Sequence, residues 1–259
     1  TKDPLNNEEE VNHVMNELDE SSFLLTDVET KPQSSSPKPP FRTSTLQMSA
    51  SSSLGFTADR TMNAAQKLYE GGLITYLRTD GISVSTSPNT GYPFSEENPG
   101  PPPLQEIRNL IETRFGDAFL SEKVRAYKAK VQNSQEAHEA IRPTDISKSP
   151  DQVSLSGDEE RLYKLIWNRT VASQMVNSKY ERKILKIVSS DSKYTFKAAS
   201  RKNIFLGFET LTKEGEETEF QFPDDLVKGI NLQLDSKEAE QKFTTPPNRF
   251  SEASLIKRM

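Results

Sequence analysis

The chain has 259 residues, of which 33% are hydrophobic and 27% charged, a balance typical of a water-soluble protein with modest cores. It contains no cysteine, which excludes disulfides, cysteine zinc sites and thiol nucleophiles, and no apolar run approaches the roughly 20 residues of a membrane helix. The net charge of −5 disfavours a uniformly basic nucleic-acid binder but permits a local basic patch.

The first elements predict a helix followed by a strand. Val11, Val14 and Leu18 recur at helical spacing within Glu8–Leu18, and the segment Ser22–Lys31 is typical of a strand. The Pro- and Ser-rich segment Pro32–Pro40 predicts a linker and marks the first domain boundary. Because the opening residues are polar and acidic, they resemble neither a secretory signal nor a transit peptide, and we expect the chain to be an internal fragment of a longer intracellular protein.

The next stretch predicts a helix, a turn, a second helix and an extended segment. The first helix covers Thr45–Ser53, and the second begins after a Thr57 cap and ends at Glu70 before Gly71. The extended run LITYLRTDG follows, which completes the order of a winged helix-turn-helix. DNA binding and simple packing explain this order equally well.

The rest of the chain changes from helical to β-rich. A long surface loop is expected over Gly81–Pro103, and helices over Leu104–Phe115 and Asp158–Asn177. From Tyr180 onward, strands are expected in the runs ERKILKIV, KYTFKAAS, NIFLGFET and INLQLDSKEA, and a last helix begins in RFSEASLIKRM. The predicted class is α+β, with a mostly helical domain (37–178) inserted into a β-rich domain (1–36 and 179–242), and with 243–259 beginning a further helical domain.

Two candidate catalytic residues lie close together after the second predicted helix. In an extended segment Tyr76 and Arg78 point to the same side, so a phenol and a guanidinium would share one face. A neighbouring arginine favours the phenolate and neutralises a pentacovalent phosphate, which suits phosphoryl transfer. Ordinary cross-strand packing gives the same alternation.

Two further clusters could contact an anion. His138 and Arg142 lie in the run QEAHEAIRP with Gln135, where a phosphate clamp and a surface ion-pair patch on a helix both fit the pattern. A basic stretch joins Lys123, Arg125, Lys128 and Lys130 with Tyr127, and a solvated basic edge would look the same.

Five runs follow one another along the chain: PFRTSTLQ, AQKLYEGGLITYLRTDG, QEAHEAIRPTD, LYKLIWNRTVASQM and FTTPPNRFSEASLIK. In this order they resemble the type IA DNA topoisomerases of the bacterial topoisomerase I kind. The resemblance implies that Tyr76 is the nucleophile, that Arg78 stabilises the transition state and that His138 contacts DNA. Gln135, Arg142 and Arg249 are expected to bind DNA as well.

The resemblance also implies an activity and its limits. The parent protein would relax negatively supercoiled DNA without ATP, acting as a monomer on DNA that is single-stranded at the cleavage site. Its Mg²⁺ ligands would lie in a separate N-terminal domain that includes an Asp-x-Asp arrangement, and no Asp-x-Asp occurs here. No metal ligand is therefore assigned in this chain, which we expect to be inactive alone.

Departures and alternatives accompany this interpretation. Arg42 stands where the family usually has Thr, Gly81 where it usually has Ser, and the Pro-rich loop over 91–103 resembles an insertion. A non-catalytic winged-helix DNA-binding module is the alternative from another class, and topoisomerase III or reverse gyrase are alternatives within the family. The expected location is the bacterial cytoplasm and nucleoid, or else a mitochondrion or plastid.

Overall fold

The computed structural model of the chain describes residues 5, 7–89, 96–127, 139–212 and 220–258, without the side chain of Lys257. The chain divides into two compact units. The first unit comprises Thr1–Ser34, Lys179–Phe205 and Glu216–Pro247, and the second comprises Ser35–Ser178, Leu206–Gly215 and Asn248–Met259. The second unit is therefore inserted into the first along the sequence, and the α+β class is confirmed.

The first unit is built on a four-stranded sheet. Helix α1 (Glu8–Glu20) begins where the Asn7 side chain accepts a hydrogen bond from the Glu10 amide, 2.8 Å away. The strands are β1 (Phe23–Ser35), β2 (Ser178–Ser189), β3 (Thr195–Phe205) and β4 (Asn231–Leu232), in the spatial order β3-β2-β1-β4. The β2–β3 and β1–β4 pairs are antiparallel. This sheet buries few apolar side chains, chiefly Phe23, Leu25 and Leu185.

Three predicted boundaries in the β-rich region were wrong. Strand β1 continues through Pro32 to Ser35. The fixed φ angle of proline is compatible with extended backbone, so a single proline does not by itself end a strand. The predicted strand NIFLGFET ends at Phe205, and Glu209–Thr212 forms a helical turn instead. The run INLQLDSKEA pairs over only two residues, Asn231 and Leu232.

The second unit is mostly helical. Its helices are α2 (Thr43–Leu54), α3 (Ala58–Glu70), α4 (Pro103–Phe115), α5 (Gly157–Ala172), the short α6 (Glu209–Thr212) and α7 (Glu252–Arg258). One contiguous core joins them, in which Leu46, Leu68 and Ile111 pack with Tyr163 and Trp167 of α5. The Trp167 indole nitrogen donates a 3.0 Å hydrogen bond to the Ile146 carbonyl, so its one polar group is satisfied inside the core.

Helices α3 and α5 are also joined at their surface by ion pairs. The Arg60 guanidinium contacts both carboxylate oxygens of Asp158 at 2.6 and 2.7 Å, and the Lys67 ammonium lies 2.7 Å from Glu159. The hydrogen bond from Arg60 lowers the pKa of Asp158 below its usual value. These pairs hold α3, the helix that leads into the candidate site, against the core helix.

The predicted helix-turn-helix is present as α2, a turn through Gly55 and α3. In the segment after α3, which was predicted to be extended, Ile74 forms an isolated antiparallel bridge to Pro143. Helix α7 lies against α2 within the second unit. Within the described part of the chain, no helix is long and apolar enough to cross a membrane.

Candidate active site

The segment that carries Tyr76 leaves α3 through a glycine turn. Gly72 has a φ of +69°, a left-handed conformation that glycine adopts without steric cost, and the Leu73 amide then donates back to the Leu68 carbonyl at 2.9 Å. Sequence reasoning placed the helix end correctly at Gly71. The turn directs residues 73–83 away from the helix axis and over the core.

Burial alternates along the segment after Ile74. Leu77 and Thr79 are buried, whereas Tyr76, Arg78 and Asp80 are exposed. The two candidate catalytic side chains therefore share the solvent side, as the sequence alternation indicates, although the backbone is not a regular strand. The buried residues on the other side fix the segment to the protein.

A second segment, residues 139–144, lies beside residues 73–83 and braces them. The Thr75 amide donates to the Arg142 carbonyl at 2.9 Å, and the Thr144 amide donates to the Leu73 carbonyl at 3.1 Å. The Thr75 hydroxyl donates to the Ala140 carbonyl at 2.8 Å and accepts from the Arg142 amide at 3.0 Å. We call residues 139–144 the bracing segment. The sequence interpretation treated this region as a helix, but these residues are extended because their backbone groups pair with residues 41, 73–75 and 83.

Thr43, at the first residue of α2, holds the same segment from the opposite end. Its hydroxyl donates to the Leu77 carbonyl at 2.7 Å and accepts from the Thr79 amide at 2.9 Å. Its own amide donates to the Thr79 carbonyl at 3.0 Å. These bonds fix the backbone on both sides of Arg78. Sequence reasoning missed Thr43, because the run TST at a helix start is most simply explained as capping.

Tyr76 is 43% exposed, and its ring meets Tyr69 of α3 edge to face, with ring centroids 5.6 Å apart. Such a contact limits the positions that the Tyr76 ring can take while leaving it accessible. Arg78 is exposed and forms no hydrogen bond or ion pair with any residue that the structure describes. The surface thus presents a phenol whose ring position is restricted by Tyr69 and, two residues further on, a guanidinium that has no partner among the described residues.

Arg142 is placed differently from Arg78. It is only 7% exposed, and its guanidinium contacts both oxygens of Glu139 at 2.8 and 2.9 Å and the Pro143 carbonyl at 2.8 Å. The Ser85 amide also donates to the Glu139 carboxylate, at 3.3 Å. In this structure, Arg142 and Glu139 therefore stabilise the bracing segment.

The buried arginine also influences a neighbouring carboxyl group. Burial and the nearby charge of Asp145 raise the pKa of Glu106 on α4, and the positive charge of Arg142 opposes that change. Glu106 is thus kept closer to its neutral form than a solvated glutamate would be.

The structure describes only some of the other predicted site residues. Gln135 and His138 lie outside the described residues, as do Lys128 and Lys130 of the basic stretch. Arg249 is exposed in the segment before α7. Arg125 uses its guanidinium to bind the Met175 carbonyl and the Asn177 side chain at 2.8 and 2.7 Å, so in this structure it stabilises the fold.

The described residues do not fit a magnesium site. No group of three or more His, Asp or Glu side chains converges anywhere in the described ranges. Mg²⁺ prefers an octahedral set of oxygen ligands with one or two carboxylates. In the sequence that carries Tyr76, from residue 71 to residue 89, Asp80 is the only acidic residue. These residues therefore do not provide the ligands that a bound Mg²⁺ would need.

Comparison with known proteins places the chain in a class of enzymes. A family model described as DNA topoisomerase matches residues 1–259. The chain is 39% identical to DNA topoisomerase 1 of Zymomonas mobilis, over 94% of this chain and 19% of the relative, and 38% identical to DNA topoisomerase 1 of Rickettsia felis, over 98% and 32%. The chain belongs to the DNA topoisomerase family, as its sequence resemblance predicts, and within that family to the type IA enzymes.

A solved structure supports the same assignment. The structure of full-length topoisomerase I from Thermotoga maritima matches with a TM-score of 0.76 and 32% identity, covering 100% of this chain and 40% of that one. The chain thus spans between a fifth and two fifths of the length of these relatives. Its similarity extends across both units.

Proposed function

We propose that this chain supplies the nucleophile and the adjacent arginine of a type IA DNA topoisomerase, which relaxes negatively supercoiled DNA through a transient single-strand break. The observation that carries the proposal is the exposed Tyr76–Arg78 pair, held on one surface by the bracing segment and by Thr43. Family membership and the names of the relatives support DNA as the substrate.

The proposed reaction exchanges one phosphoester bond for another. The Tyr76 phenolic oxygen attacks a backbone phosphorus, and the bond from that phosphorus to the 3′ oxygen of the neighbouring sugar breaks. The 5′ phosphate is then esterified to Tyr76, and the 3′ hydroxyl is released. Because the phosphotyrosine retains the energy of the broken ester, the 3′ hydroxyl can reverse the reaction after strand passage without ATP.

Arg78 is proposed to stabilise the charge that develops on the phosphate during attack. Its guanidinium carries fixed positive charge, and its planar donors match phosphate oxygens. The absence of an intramolecular partner in the described structure supports this role, since no ion pair must be broken when DNA arrives. Arg142, in contrast, is proposed to act through the bracing segment that orients Tyr76 and not by direct contact with DNA.

The remaining expected contacts are proposals of the same kind. His138 and Gln135 would bind DNA near the scissile phosphate, because they immediately precede the bracing segment in sequence. Arg249 would contact DNA from its exposed position. The Mg²⁺ of the parent enzyme would be held by residues outside this set, and we expect the 259-residue chain by itself neither to cleave nor to relax DNA.

The decisive test uses the chain joined to the segments that its full-length relatives carry beyond the matched region. The protein is incubated with a labelled single-stranded oligonucleotide and denatured with SDS to trap the covalent adduct. Tyr76→Phe should abolish the adduct and leave oligonucleotide binding unchanged. Tyr69→Phe is the matched control, because it keeps the ring against Tyr76 and should retain the adduct. An adduct that survives in Tyr76→Phe would reject the proposed nucleophile.

A binding-only module would give a different result. If the wild-type protein binds the oligonucleotide but forms no adduct under any condition, the winged-helix binding alternative replaces the catalytic proposal.

A further inference from the structure

One face of the β2–β3 strand pair in the first unit carries only positively charged ionisable side chains. Strands β2 and β3 place Arg182 directly opposite Arg201 and Lys186 directly opposite Lys197. Directly opposed residues lie on the same face of a sheet, and alternate residues along each strand share that face. We call this the cationic face. Its ten residues include no Asp or Glu, and they are Tyr180, Arg182, Ile184, Lys186, Val188, Thr195, Lys197, Ala199, Arg201 and Asn203.

The opposite face of the same strands carries charges of both signs. There Glu181 is opposed to Lys202, and the Lys183 ammonium donates to the Pro223 carbonyl at 3.1 Å, near the Asp224 carboxylate at 3.9 Å. The apolar side chain of Leu185 is buried on this side. The segregation of charge is therefore a property of one face and not of the strands as a whole.

Three of the four cations of the cationic face are accessible. Arg182, Lys186 and Lys197 are exposed, and none of the three forms an ion pair with a residue in the described ranges. Arg201 is partly buried, and its guanidinium lies 3.9 Å from the centre of the Tyr180 ring. Like charges directly opposite each other destabilise a sheet, so this arrangement costs stability in the free protein.

We propose that the cationic face binds the phosphate backbone of duplex DNA. This inference rests on the proposed function, since it takes DNA as the substrate, and it adds a second contact surface in the first unit. The two like-charged pairs are four residues apart, roughly 13 Å along the strands. They form a broad patch that a polyanion with regularly spaced charges would neutralise.

The chemistry of the patch favours a duplex over a single strand. Proteins that bind single strands without sequence preference use exposed aromatic rings on which bases stack. The only ring on this face, that of Tyr180, is covered by the Arg201 guanidinium, and the exposed ring of Phe196 lies on the opposite face. A duplex needs no stacking surface, because its phosphates are outside and its bases inside. The contact would be independent of sequence.

The test measures the affinity of the 259-residue chain for a labelled duplex at several salt concentrations. Each duplex phosphate contact contributes about 0.9 to the slope of log affinity against log salt. The charge-removing double variant Lys186→Gln/Lys197→Gln should reduce the slope by about 1 to 2. The control Lys202→Gln/Lys228→Gln removes the same charge from the same unit outside the cationic face, and it should leave the slope unchanged.

Folding is monitored in parallel. Because Lys186 and Lys197 are directly opposed like charges, neutralising both removes a repulsion within the sheet, so Lys186→Gln/Lys197→Gln should melt at the wild-type temperature or above. The charge-preserving variant Lys186→Arg/Lys197→Arg should restore the wild-type slope. An equal loss in the control variant, an unchanged slope in the test variant, or no measurable duplex binding by the wild-type chain would each overturn the proposal.

Two further outcomes would also overturn it. If the slope changes only with a single-stranded oligonucleotide, or if the cations are needed only for binding to anionic phospholipid vesicles, the occupant is not duplex DNA. Failure here is distinguishable from failure of the proposed function. The Tyr76→Phe adduct assay reports on the second unit, and it can succeed while the cationic face proves unnecessary, or fail while the face binds DNA.

Discussion

The two units of this chain differ in the interactions that stabilise each of them internally. The second unit is organised around a contiguous core in which Trp167, Tyr163 and Phe41 are almost completely buried. The first unit buries few apolar side chains, and it leaves Ile204 55% and Phe220 72% exposed. Its strands are joined by antiparallel backbone pairing. The residue proposed to do chemistry lies on the unit with the stronger core, because a nucleophile must be held in a fixed position.

The largest expected effect comes from the core of the second unit. Trp167→Ala should lower the free energy of unfolding by about 3–5 kcal/mol, because it creates a cavity and leaves the Ile146 carbonyl without its partner. Denaturant unfolding of the wild-type and variant chains measures this loss of unfolding free energy. Phe220→Ala, an exposed aromatic of the first unit, should cost less than about 0.5 kcal/mol. Equal losses in the two variants would contradict the difference between the units.

The buried ion pair of the bracing segment comes next. Arg142→Met should destabilise the chain by about 1–3 kcal/mol, because it leaves the Glu139 carboxylate without its main partner; the partial exposure of Glu139 keeps the effect at the low end for buried pairs. A double-mutant cycle with Glu139→Gln isolates the interaction. Lys148→Met is the control, since the Lys148–Asp145 pair is exposed and 3.7 Å apart. A cycle with no coupling energy would show that the pair does not hold the segment.

Thr43→Val tests whether the start of α2 positions Arg78. Loss of the hydroxyl removes the bonds to Leu77 and Thr79, which should cost about 1–2 kcal/mol of stability. If a similar free energy is lost from the transition state, adduct formation should slow by roughly tenfold. Adduct kinetics in the full-length context, compared with oligonucleotide affinity, measure this effect.

The control for this effect is chemically matched. Thr113→Val makes the same change on the exposed surface of α4 and should leave the rate intact. Thr43→Ser keeps the hydroxyl and should restore the rate if positioning is the role. A purely structural role would lower stability in Thr43→Val without changing the rate of the folded protein.

The smallest expected effect concerns the surface pair between α3 and α5. The pKa of Asp158 is lowered below 3.8 by Arg60, so the pair contributes stability above the unfolded pKa, and that contribution is lost as pH falls through the folded pKa. Asp158→Asn should therefore destabilise the chain slightly at neutral pH, and the difference should vanish in more acidic solution. A difference that persists unchanged at low pH would assign the effect to packing.

Much of the second unit follows from the sequence, because its signals are local. The Thr57 cap, the helical spacing through Leu68 and the glycines after Glu70 predict α3 closely. The alternation through residues 76–80 likewise predicts the shared exposure of Tyr76 and Arg78. Helix signals of this kind depend on neighbours within one or two turns.

What the sequence did not predict depends on distant partners. The bracing segment is extended because its backbone bonds to residues 73–75, and no local signal specifies that pairing. The role of Thr43 requires a partner 34 residues away. The charge of the cationic face appears only when the register of β2 against β3 is known. Arg142 has the composition of a phosphate ligand, but in this structure its guanidinium is bound to Glu139.

The most direct test of the central claim is to locate the DNA-linked residue itself. The trapped adduct is digested with nuclease and trypsin, and the nucleotide-bearing peptide is sequenced by tandem mass spectrometry. Cleavage after Lys67 and Arg78 places both Tyr69 and Tyr76 in one peptide. The account predicts that the nucleotide is attached to Tyr76 through its 5′ phosphate. Attachment to Tyr69, or to a residue outside this peptide, would contradict it.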